Sequence, residues 1–304
     1  LSGLGMFEQG FYDKLGFGTG SYKHHLIFDP ANLKININAK IPERITHKDW
    51  KKAYKSRVNR KKKHGNCTLN NENITKGEMF WGKDKSFGLG YSDEKGNLTH
   101  YFWAKAEKAM HGPYQIKWMV FNNKKQFFEL MSLIKNLGDQ VNAVKMWEPS
   151  GIQMQDLIKE PFKNKRITEN SDYQQKLRAS AYWQMRIINL KKSIAKTHLS
   201  NDKDLEFNLK LEDPIHKYLP SDSTWNGLSG NYIIKLGKNS KVKKGRKENL
   251  DTLEASIGAF TRMWLGVRPA SGLSYTDNLS GTDNLLENLD NVFDLPQPKI
   301  DWDF

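Results

Sequence analysis

Apolar residues recur along the central part of the chain at two spacings, one helical and one typical of strands. In residues 124–136, Phe127, Phe128, Met131 and Ile134 lie one, three or four positions apart, and this spacing predicts an amphipathic helix. Short stretches rich in aromatic and β-branched residues predict strands at 87–91, 98–104, 115–121 and 141–147. Further helices are predicted at 45–61 and 153–158. This order of helices and mainly antiparallel strands predicts an α+β domain with one core.

Polar residues mark where several of these elements begin or end. Thr46 is a suitable N-cap for the helix at 45–61, and Asn122 is one for the helix at 124–136. Gly138 is placed to end the second helix. A turn at 93–97 joins the first two strands, which indicates a hairpin.

Two further regions flank this central one. Residues 159–175 are polar and predict a linker, after which strands and helices follow again. The strands are predicted at 182–189, 205–211 and 230–236, and the helices at 190–198, 251–265 and 282–293. Before the central region, 7–15 predicts a short helix ended by Gly16, the glycines at 16, 18 and 20 predict a tight loop, and 22–28 predicts a strand. The first 29 residues are too few to form a core of their own.

Composition narrows the class of protein. The 304 residues contain 48 Lys and Arg against 34 Asp and Glu, a net charge of +14 at pH 7. Such a charge can attract nucleic acid, anionic membranes or an anionic cofactor. The basic residues are scattered, with denser runs at 51–63 and 235–247, and no nucleic-acid-binding motif accompanies them. The single cysteine excludes an internal disulfide and is typical of a reducing compartment. No apolar stretch reaches membrane-spanning length. We therefore expect a cytoplasmic protein with neither a membrane nor nucleic acid as partner.

Motifs for metal binding or nucleophilic catalysis are weak. His24 and His25 are adjacent, and no two histidines are three or four positions apart, so we expect no metal site. The Ser-x-x-Lys pattern at 193–196 lacks the partner motifs of the enzymes that use it. No phosphate-binding loop or nucleophile-elbow sequence is present.

Two motifs near opposite ends of the chain resemble one protein family. Residues 11–18 read FYDKLGFG, similar to the aromatic signature that closes the catalytic domain of many GNAT acetyltransferases. Residues 264–271 read WLGVRPAS, similar to a turn in the sterol-carrier-protein-like domain of Eis-type (enhanced intracellular survival) acetyltransferases. The segment at 182–199 resembles the opening of that domain. The last residues, WDF, resemble that family's acidic residue followed by a terminal Phe. The chain as a whole therefore resembles an Eis-type N-acetyltransferase.

The resemblance implies a division into domains. Residues 1–29 correspond to the end of a first, catalytic GNAT domain, residues 30–175 to a second GNAT-like domain with its linker, and residues 176–304 to a sterol-carrier-protein-like domain. It also implies acetyl-CoA as cofactor, a cationic amine as substrate, and self-association into trimers or hexamers.

The resemblance also implies roles for residues at the two ends. Tyr12 corresponds to the general acid, and the terminal carboxylate of Phe304 to the general base. An alkyl amine with a pKa of about 10.4 must lose a proton before acyl transfer, so a base is needed. An α-carboxyl, with a reference pKa of about 3.3–3.7, is a weak base unless it is desolvated or acts through water. Trp302 could supply that burial, and Asp303 and Asp301 could attract the amine.

The sequence departs from the family in one respect. The family holds the CoA pyrophosphate with a motif [RQ]-x-x-G-x-[GA] at the start of a helix, and the 304 residues contain no copy of it. The chain also begins with Leu1 rather than Met, so we expect an upstream segment to have been lost. Three functions compete: an acetyltransferase that is inactive as this fragment, a non-catalytic module whose sterol-carrier-like domain binds an apolar ligand or a partner, and a nucleic-acid-binding protein.

Overall fold

The structure is a computed structural model. It describes residues 1–5, 8–62, 71–161, 163, 165–199 and 204–300, and the backbone of residues 66 and 67. The helices are α1 (Gln9–Asp13), α2 (Trp50–Asn59), α3 (Glu72–Phe80), α4 (Lys124–Asn136), α5 (Leu190–Ala195), α6 (Ile257–Trp264), α7 (Ala270–Thr276) and α8 (Asp283–Val292). The strands are β1 (Ser2–Gly5), β2 (Gly18–Thr19), β3 (Lys23–Phe28), β4 (Glu43–Ile45), β5 (Asn66–Cys67), β6 (Ser86–Ser92), β7 (Leu98–Ala106), β8 (Tyr114–Val120), β9 (Val144–Trp147), β10 (Lys176–Ser180), β11 (Trp183–Arg186), β12 (Leu205–Glu212), β13 (Gly230–Leu236), β14 (Lys241–Lys244), β15 (Thr252–Ser256), β16 (Leu279–Ser280) and β17 (Lys299–Ile300).

Contacts within the chain group these elements into two compact units. The terminal unit combines Leu1–Tyr22 with Ala181–Lys299, and the central unit consists of Lys23–Ser180. Both β3, which lies within residues 1–29, and β10, which lies after residue 175, pair within the central unit. The division at residues 29 and 175 says which domain of the similar family each segment corresponds to, and it stays a prediction.

The central unit is built on a seven-stranded sheet in the order β10-β3-β9-β8-β7-β6-β4. Every neighbouring pair is antiparallel except β8 and β9. The predicted hairpin turn is confirmed: the Asp93 carboxylate accepts hydrogen bonds from the backbone N–H groups of Lys95 and Asn97, at 3.0 and 2.8 Å. These bonds lower the pKa of Asp93, because they favour the ionised carboxylate.

Strand β7 is buried on both faces, which explains its nearly continuous run of apolar residues. Phe102 and Ala104 pack in a core that contains the apolar face of α4, where Phe127, Leu130, Met131 and Ile134 are buried. Tyr101 and Trp103 alternate with them and pack in a second cluster with Ala53 of α2 and Met79 of α3. The sheet of the central unit therefore has helices on both faces.

Helix α4 has the predicted bounds but not the predicted N-cap. Asn123, not Asn122, accepts the hydrogen bond from the backbone N–H of Gln126, at 3.0 Å. The side chain of Asn122 instead accepts from the N–H of Lys61, at 2.7 Å, while its own N–H donates to the Gln126 side chain. A tertiary contact therefore decided which of two adjacent asparagines caps the helix.

The terminal unit contains a five-stranded sheet, in the order β14-β13-β12-β15-β16, and a three-stranded sheet, β1-β11-β2. In β12, Phe207, Leu209 and Leu211 are buried in one core with residues of α6 and α8. The three-stranded sheet joins the start of the chain to the segment after residue 181, since β1 and β2 come from the first 22 residues and both pair with β11. The predicted tight loop at the glycines is wrong in part, because Gly18 belongs to β2.

The prediction of one helix over 251–265 is also wrong in part. Residues Thr252–Ser256 form β15, parallel to β12, and the helix α6 begins only at Ile257. Leu253 and Ala255 alternate into the core, which is the two-residue period of a strand. Ser256 accepts a hydrogen bond from the N–H of Ala259 at 3.1 Å and caps the helix. The sequence analysis also missed α3, α7, β10 and β14.

Two glycines of the central unit give opposite expectations for substitution by alanine. A Cβ at Gly90 in β6 would lie 2.4 Å from Tyr101 Cβ and 2.5 Å from the carbonyl oxygen of His100, whereas nothing lies within 4 Å of a Cβ at Gly77 in α3. We expect Gly90→Ala to lower the free energy of unfolding by about 1–3 kcal/mol and Gly77→Ala to raise it by about 0.5–1 kcal/mol. Urea unfolding measures both, and equal effects of the two substitutions would contradict the packing described for β6 and β7.

Candidate active site

Tyr12 lies near the end of the short helix α1, where the sequence motif predicts it. Its carbonyl oxygen accepts hydrogen bonds from the backbone N–H groups of Leu15 and Phe17, at 2.9 and 3.2 Å, which ends the helix in a compact turn. Its ring is half-buried and contacts the rings of Phe11 and Phe17, with centroids 5.2 and 6.3 Å away. No residue that the structure describes forms a hydrogen bond with the Tyr12 hydroxyl.

A buried ion pair holds the segment that follows Tyr12. The guanidinium of Arg186, on β11, donates one hydrogen bond to the carbonyl oxygen of Leu15 and two to the carboxylate of Asp213, at 2.7 and 2.9 Å. Arg186 is 2% exposed and Asp213 is fully buried. Cations are favourable beside carbonyl groups at a helix C-terminus. Arg186 therefore fixes the end of the Tyr12 segment to β11.

The Asp213 carboxylate has further partners. It accepts hydrogen bonds from the backbone N–H groups of Ile215 and Leu228, at 3.2 and 2.8 Å. The indole ring of Trp225 lies 5.5 Å from the Arg186 guanidinium. Burial lowers the pKa of Arg186, while the Asp213 charge and hydrogen bond act in the opposite direction. The sequence analysis missed this pair, although a charged residue inside the apolar strand YWQMRIIN was a signal for it.

The glycine-rich segment after Tyr12 packs tightly rather than forming a phosphate-binding loop. A Cβ at Gly18 would lie 2.4 Å from the carbonyl oxygen of Gly258, and a Cβ at Gly20 would lie 2.1 Å from the ring of Trp183. The N–H of Gly20 donates to the carbonyl of Trp183 at 2.9 Å, and that of Gly16 donates to the carbonyl of Asp13 at 2.9 Å. These N–H groups are already bonded within the protein. The segment therefore does not fit the pyrophosphate of acetyl-CoA.

A polar cluster lies beside the same helix. Gln184, which is fully buried, donates a hydrogen bond to the Asp13 carboxylate at 2.7 Å. Arg262 on α6 pairs with Asp277 at 2.7 Å. Burial raises the pKa of Asp13; the hydrogen bond from Gln184 opposes this shift, and the Asp277 charge adds to it. The pKa of Asp13, whose side chain is only partly shielded from water, therefore lies above the ordinary value of an aspartate.

The C-terminal tail of the terminal unit approaches the glycine-rich segment. The hydroxyl of Ser21 donates a hydrogen bond to the carbonyl oxygen of Pro298, and Ser21 is fully buried. The Arg268 guanidinium, from the WLGVRPAS motif, lies 5.2 Å from the ring centre of Tyr22. The predicted site residues Asp301, Trp302, Asp303 and Phe304 lie outside the described residues. The meeting of the terminal carboxylate with Tyr12 therefore stays a prediction.

The described part of the chain lacks two other kinds of functional feature. No group of three His, Cys, Asp or Glu side chains there is arranged to hold a metal ion. None of the helices described is both long enough and apolar enough to cross a membrane.

Breaking the Arg186–Asp213 pair is expected to destabilise the terminal unit strongly. Arg186→Met or Asp213→Asn leaves a buried polar group without its partner, so each should lower the free energy of unfolding by about 3–5 kcal/mol. The double variant Arg186→Met/Asp213→Leu should recover part of this loss, because neither charge remains buried. Lys210→Met is the control: it breaks an exposed pair with Glu254 in the same unit and should cost about 1 kcal/mol or less. A loss no larger than that of the control would contradict the structural role of the pair.

The raised pKa of Asp13 predicts a pH-dependent effect on stability. A carboxyl whose pKa is higher in the folded chain favours folding when it is protonated, and this contribution is lost as the pH rises through the folded-state pKa. Asp13→Asn keeps the shape and removes the charge. We expect the variant to have a higher Tm than the original chain at pH 7, and the difference to close as the pH falls toward 3.8, the ordinary pKa of the group. A constant difference at every pH would contradict this expectation.

Comparison with known proteins identifies the fold and one domain. Residues 190–300 match the family described as Sterol carrier protein domain. No curated protein matches the chain. Three similar solved structures are a conserved protein of unknown function from Enterococcus faecalis described as a probable N-acyltransferase, a GCN5-related N-acetyltransferase from Anabaena variabilis, and Eis1 from Mycobacterium abscessus.

The structural similarity extends over the chain although the sequences have diverged. The TM-scores are 0.76, 0.75 and 0.71, at sequence identities of 16%, 18% and 10%. The matches cover 100%, 100% and 99% of this chain and 72% of each of the other three chains. The predicted mixed α/β fold class is confirmed. The chain therefore has the fold of GCN5-related N-acetyltransferases, with a sterol carrier protein domain in its C-terminal region.

Proposed function

We propose that the chain is part of an N-acetyltransferase that acts on amine substrates. The single observation that carries this proposal is the position of Tyr12: it lies in the FYDKLGFG motif, its ring is half-buried, and its hydroxyl has no hydrogen-bond partner among the described residues. A phenol with a reference pKa of about 10 can donate a proton to a leaving group. The similar structures described as N-acetyltransferases support the same class of reaction.

The base in this proposal is the terminal carboxylate of Phe304. Its support is the path of the tail, because Pro298 is hydrogen-bonded to Ser21, nine residues after Tyr12. The six residues that follow Pro298 span at most about 20 Å when extended. A carboxylate with this reach can accept the proton that the amine must lose. Asp303, Asp301 and Trp302 adjoin the carboxylate and are proposed to bind the cationic substrate.

We further propose that these 304 residues do not bind acetyl-CoA by themselves. The sequence has no copy of the pyrophosphate motif, and the N–H groups of Gly16 and Gly20 are bonded within the protein. In this function the cofactor supplies the acetyl group, and the residues named above exchange protons with the amine and the leaving group. Self-association into trimers or hexamers, implied by the resemblance, is part of the same proposal.

A second candidate function rests on the sterol carrier protein domain at residues 190–300. In this alternative the chain is a non-catalytic module that binds an apolar ligand or a partner protein. Native mass spectrometry distinguishes the two functions, because a bound apolar ligand would add its mass to that of the intact protein.

Two measurements test the proposed transferase function. Titration calorimetry of the 304-residue chain with acetyl-CoA should give no binding, and a micromolar Kd would contradict the claim about the cofactor. The protein isolated from its native cells, with its intact mass determined, should acetylate a lysine-containing peptide. In that protein Tyr12→Phe should lower kcat by about a hundredfold or more, because a positioned proton donor typically contributes that factor.

A control substitution and a one-residue extension test the proposed roles of Tyr12 and of the terminal carboxylate. Tyr22→Phe alters an exposed tyrosine outside the motif and should leave kcat unchanged. Adding one alanine after Phe304 moves the terminal carboxylate by one residue and should lower kcat as strongly as Tyr12→Phe. Undiminished activity in both altered proteins would exclude the assigned roles, and absence of activity in the native protein would favour the binding module.

A further inference from the structure

The outer face of α2, in the central unit, is strongly basic. Residues 46–62, which contain this helix, include eight Lys and Arg but only one acidic residue, Asp49. The lysines Lys48, Lys51, Lys52 and Lys55 are exposed and lie three or four positions apart, which places them on one side of the helix. None of them forms an ion pair with a described residue. Like charges so close together repel each other unless an anion neutralises them.

The opposite side of α2 is anchored, so the orientation of the basic face is fixed. Ala53 is fully buried, and its carbonyl oxygen accepts a hydrogen bond from the Tyr101 hydroxyl at 2.9 Å. Arg57 is 1% exposed, lies 4.5 Å from the ring centre of Trp118 and pairs with Glu78 at 3.1 Å. These contacts hold the buried side of the helix in the core of the central unit. The exposed lysines therefore form a preorganised surface.

The one acidic residue of this segment does not neutralise the lysines. Asp49 accepts hydrogen bonds from the backbone N–H and the hydroxyl of Thr46, both at 2.9 Å, and forms the capping box at the start of the helical segment. Its carboxylate is committed to backbone capping.

Exposed aromatic residues adjoin the basic face. Helix α3 contacts α2 and ends at Phe80, which is 43% exposed, followed by Trp81, which is 88% exposed. The Phe80 ring lies 4.8 Å from the ring of His47, next to Lys48. The ammonium of Lys76 on α3 lies 5.3 Å from the ring centre of Trp50 on α2. We call this set the lysine–tryptophan surface; it consists of Lys48, Lys51, Lys52, Lys55, Lys76, Phe80 and Trp81.

This part of the molecule holds a large share of the positive charge of the chain. The two segments 46–62 and 71–85 together contain eleven Lys and Arg against four Asp and Glu, which is half of the net charge of +14. The lysines of α2 belong to one of the denser basic runs of the sequence, and we expected no membrane partner because no apolar stretch is long enough to span a membrane. The fold exposes these lysines on one side of a helix and brings two exposed aromatic rings beside them.

We propose that the lysine–tryptophan surface docks the protein peripherally on a membrane that contains anionic lipids. Lysines close to an anionic bilayer are attracted to its surface potential. Tryptophan is favoured at the level of the lipid headgroups, where its ring is part apolar and part hydrated. Trp81 is at the end of a helix and almost fully exposed, which suits insertion between headgroups.

Single-stranded nucleic acid is the other anionic partner that such a surface could bind, and two observations disfavour it. The exposed cations are lysines, which lack the planar fork with which arginine binds phosphates and stacks on bases. Nucleic-acid platforms combine a basic groove with aromatic rings that stack on successive bases. Here the two exposed rings, Phe80 and Trp81, lie together at one helix end, and the lysines follow the convex face of another helix.

Vesicle co-sedimentation of the 304-residue chain tests this proposal. The probes are phosphatidylcholine vesicles and vesicles of phosphatidylcholine with about one third phosphatidylglycerol, an anionic lipid, in about 0.1 M NaCl, where charges act over roughly 10 Å. We expect binding to the anionic vesicles only. The triple variant Lys48→Gln/Lys52→Gln/Lys55→Gln should bind them at least about tenfold more weakly, because each lysine near such a surface contributes about a fivefold preference.

A matched triple variant separates the surface from net charge. Lys241→Gln/Lys243→Gln/Lys244→Gln removes the same charge from β14, where all three lysines are also exposed. It should weaken vesicle binding much less. Trp81→Ala should also weaken binding and should abolish most of the blue shift in tryptophan fluorescence that vesicles cause. Because all the substituted side chains are exposed, an unchanged Tm should confirm that each variant is folded.

Several outcomes would overturn the proposal. They are equal weakening by the two triple variants, equal binding to neutral and anionic vesicles, no binding to vesicles at all, and a fluorescence shift that survives Trp81→Ala. Tight binding of a single-stranded oligonucleotide, lost in the α2 triple variant while vesicles stay unbound, would assign the surface to nucleic acid instead.

Discussion

The terminal unit depends on one buried ion pair, Arg186 with Asp213. Removing two charges from water is costly, and several hydrogen bonds offset this cost: two between the side chains, two from backbone N–H groups to the carboxylate and one from the guanidinium to a backbone carbonyl. In this pair, only the buried Nε of Arg186 has no hydrogen-bond partner among the described residues. The carbonyl that accepts from the guanidinium belongs to Leu15, three residues after Tyr12. The electrostatic requirement of one buried arginine therefore fixes the position of the helix that carries the candidate acid.

The same unit shows how two segments far apart in the sequence are joined without a disulfide. Strand β11 has β1 on one side and β2 on the other, and Trp183 on β11 donates a hydrogen bond to the carbonyl of Ser21 at 2.9 Å. The close approach of Gly18 and Gly20 to their neighbours lets this small sheet lie against α6 and Trp183. The glycines that the sequence predicted to form a tight loop serve packing here.

In the central unit the governing constraint is that β7 is buried on both faces. Helices must cover both sides of the sheet, and α2 and α3 cover one of them. Covering a sheet requires only one apolar side of each helix, so the other side is free to carry charge. The basic face of α2 is the consequence, and its single acid is used for helix capping.

Much of the fold could be predicted from the sequence, because periodicity is a local property of the chain. The hairpin of β6 and β7, the bounds of α4 and the strand β13 follow from apolar spacing and turn residues. The FYDKLGFG and WLGVRPAS motifs led to the correct fold. Local patterns failed where neighbours distant in sequence decided the outcome. Residues 252–256 became a strand because β12 offered backbone partners, and Asn123 became the cap because Asn122 was engaged by Lys61.

The candidate site likewise has features that the sequence predicts and features that only the tertiary structure determines. The sequence by itself determined that Tyr12 lies at the end of a short aromatic helix, since the motif and Gly16 are local features. Only the tertiary structure brought Arg186 and Asp213 to that helix, from positions about 170 and 200 residues away, and placed Ser21 at the tail. It also placed two exposed aromatic rings beside the basic face of α2. Packing of the whole chain decides which distant charges pair and which side chains lie next to the exposed side of a helix. The local spacing of residues does not show either of these.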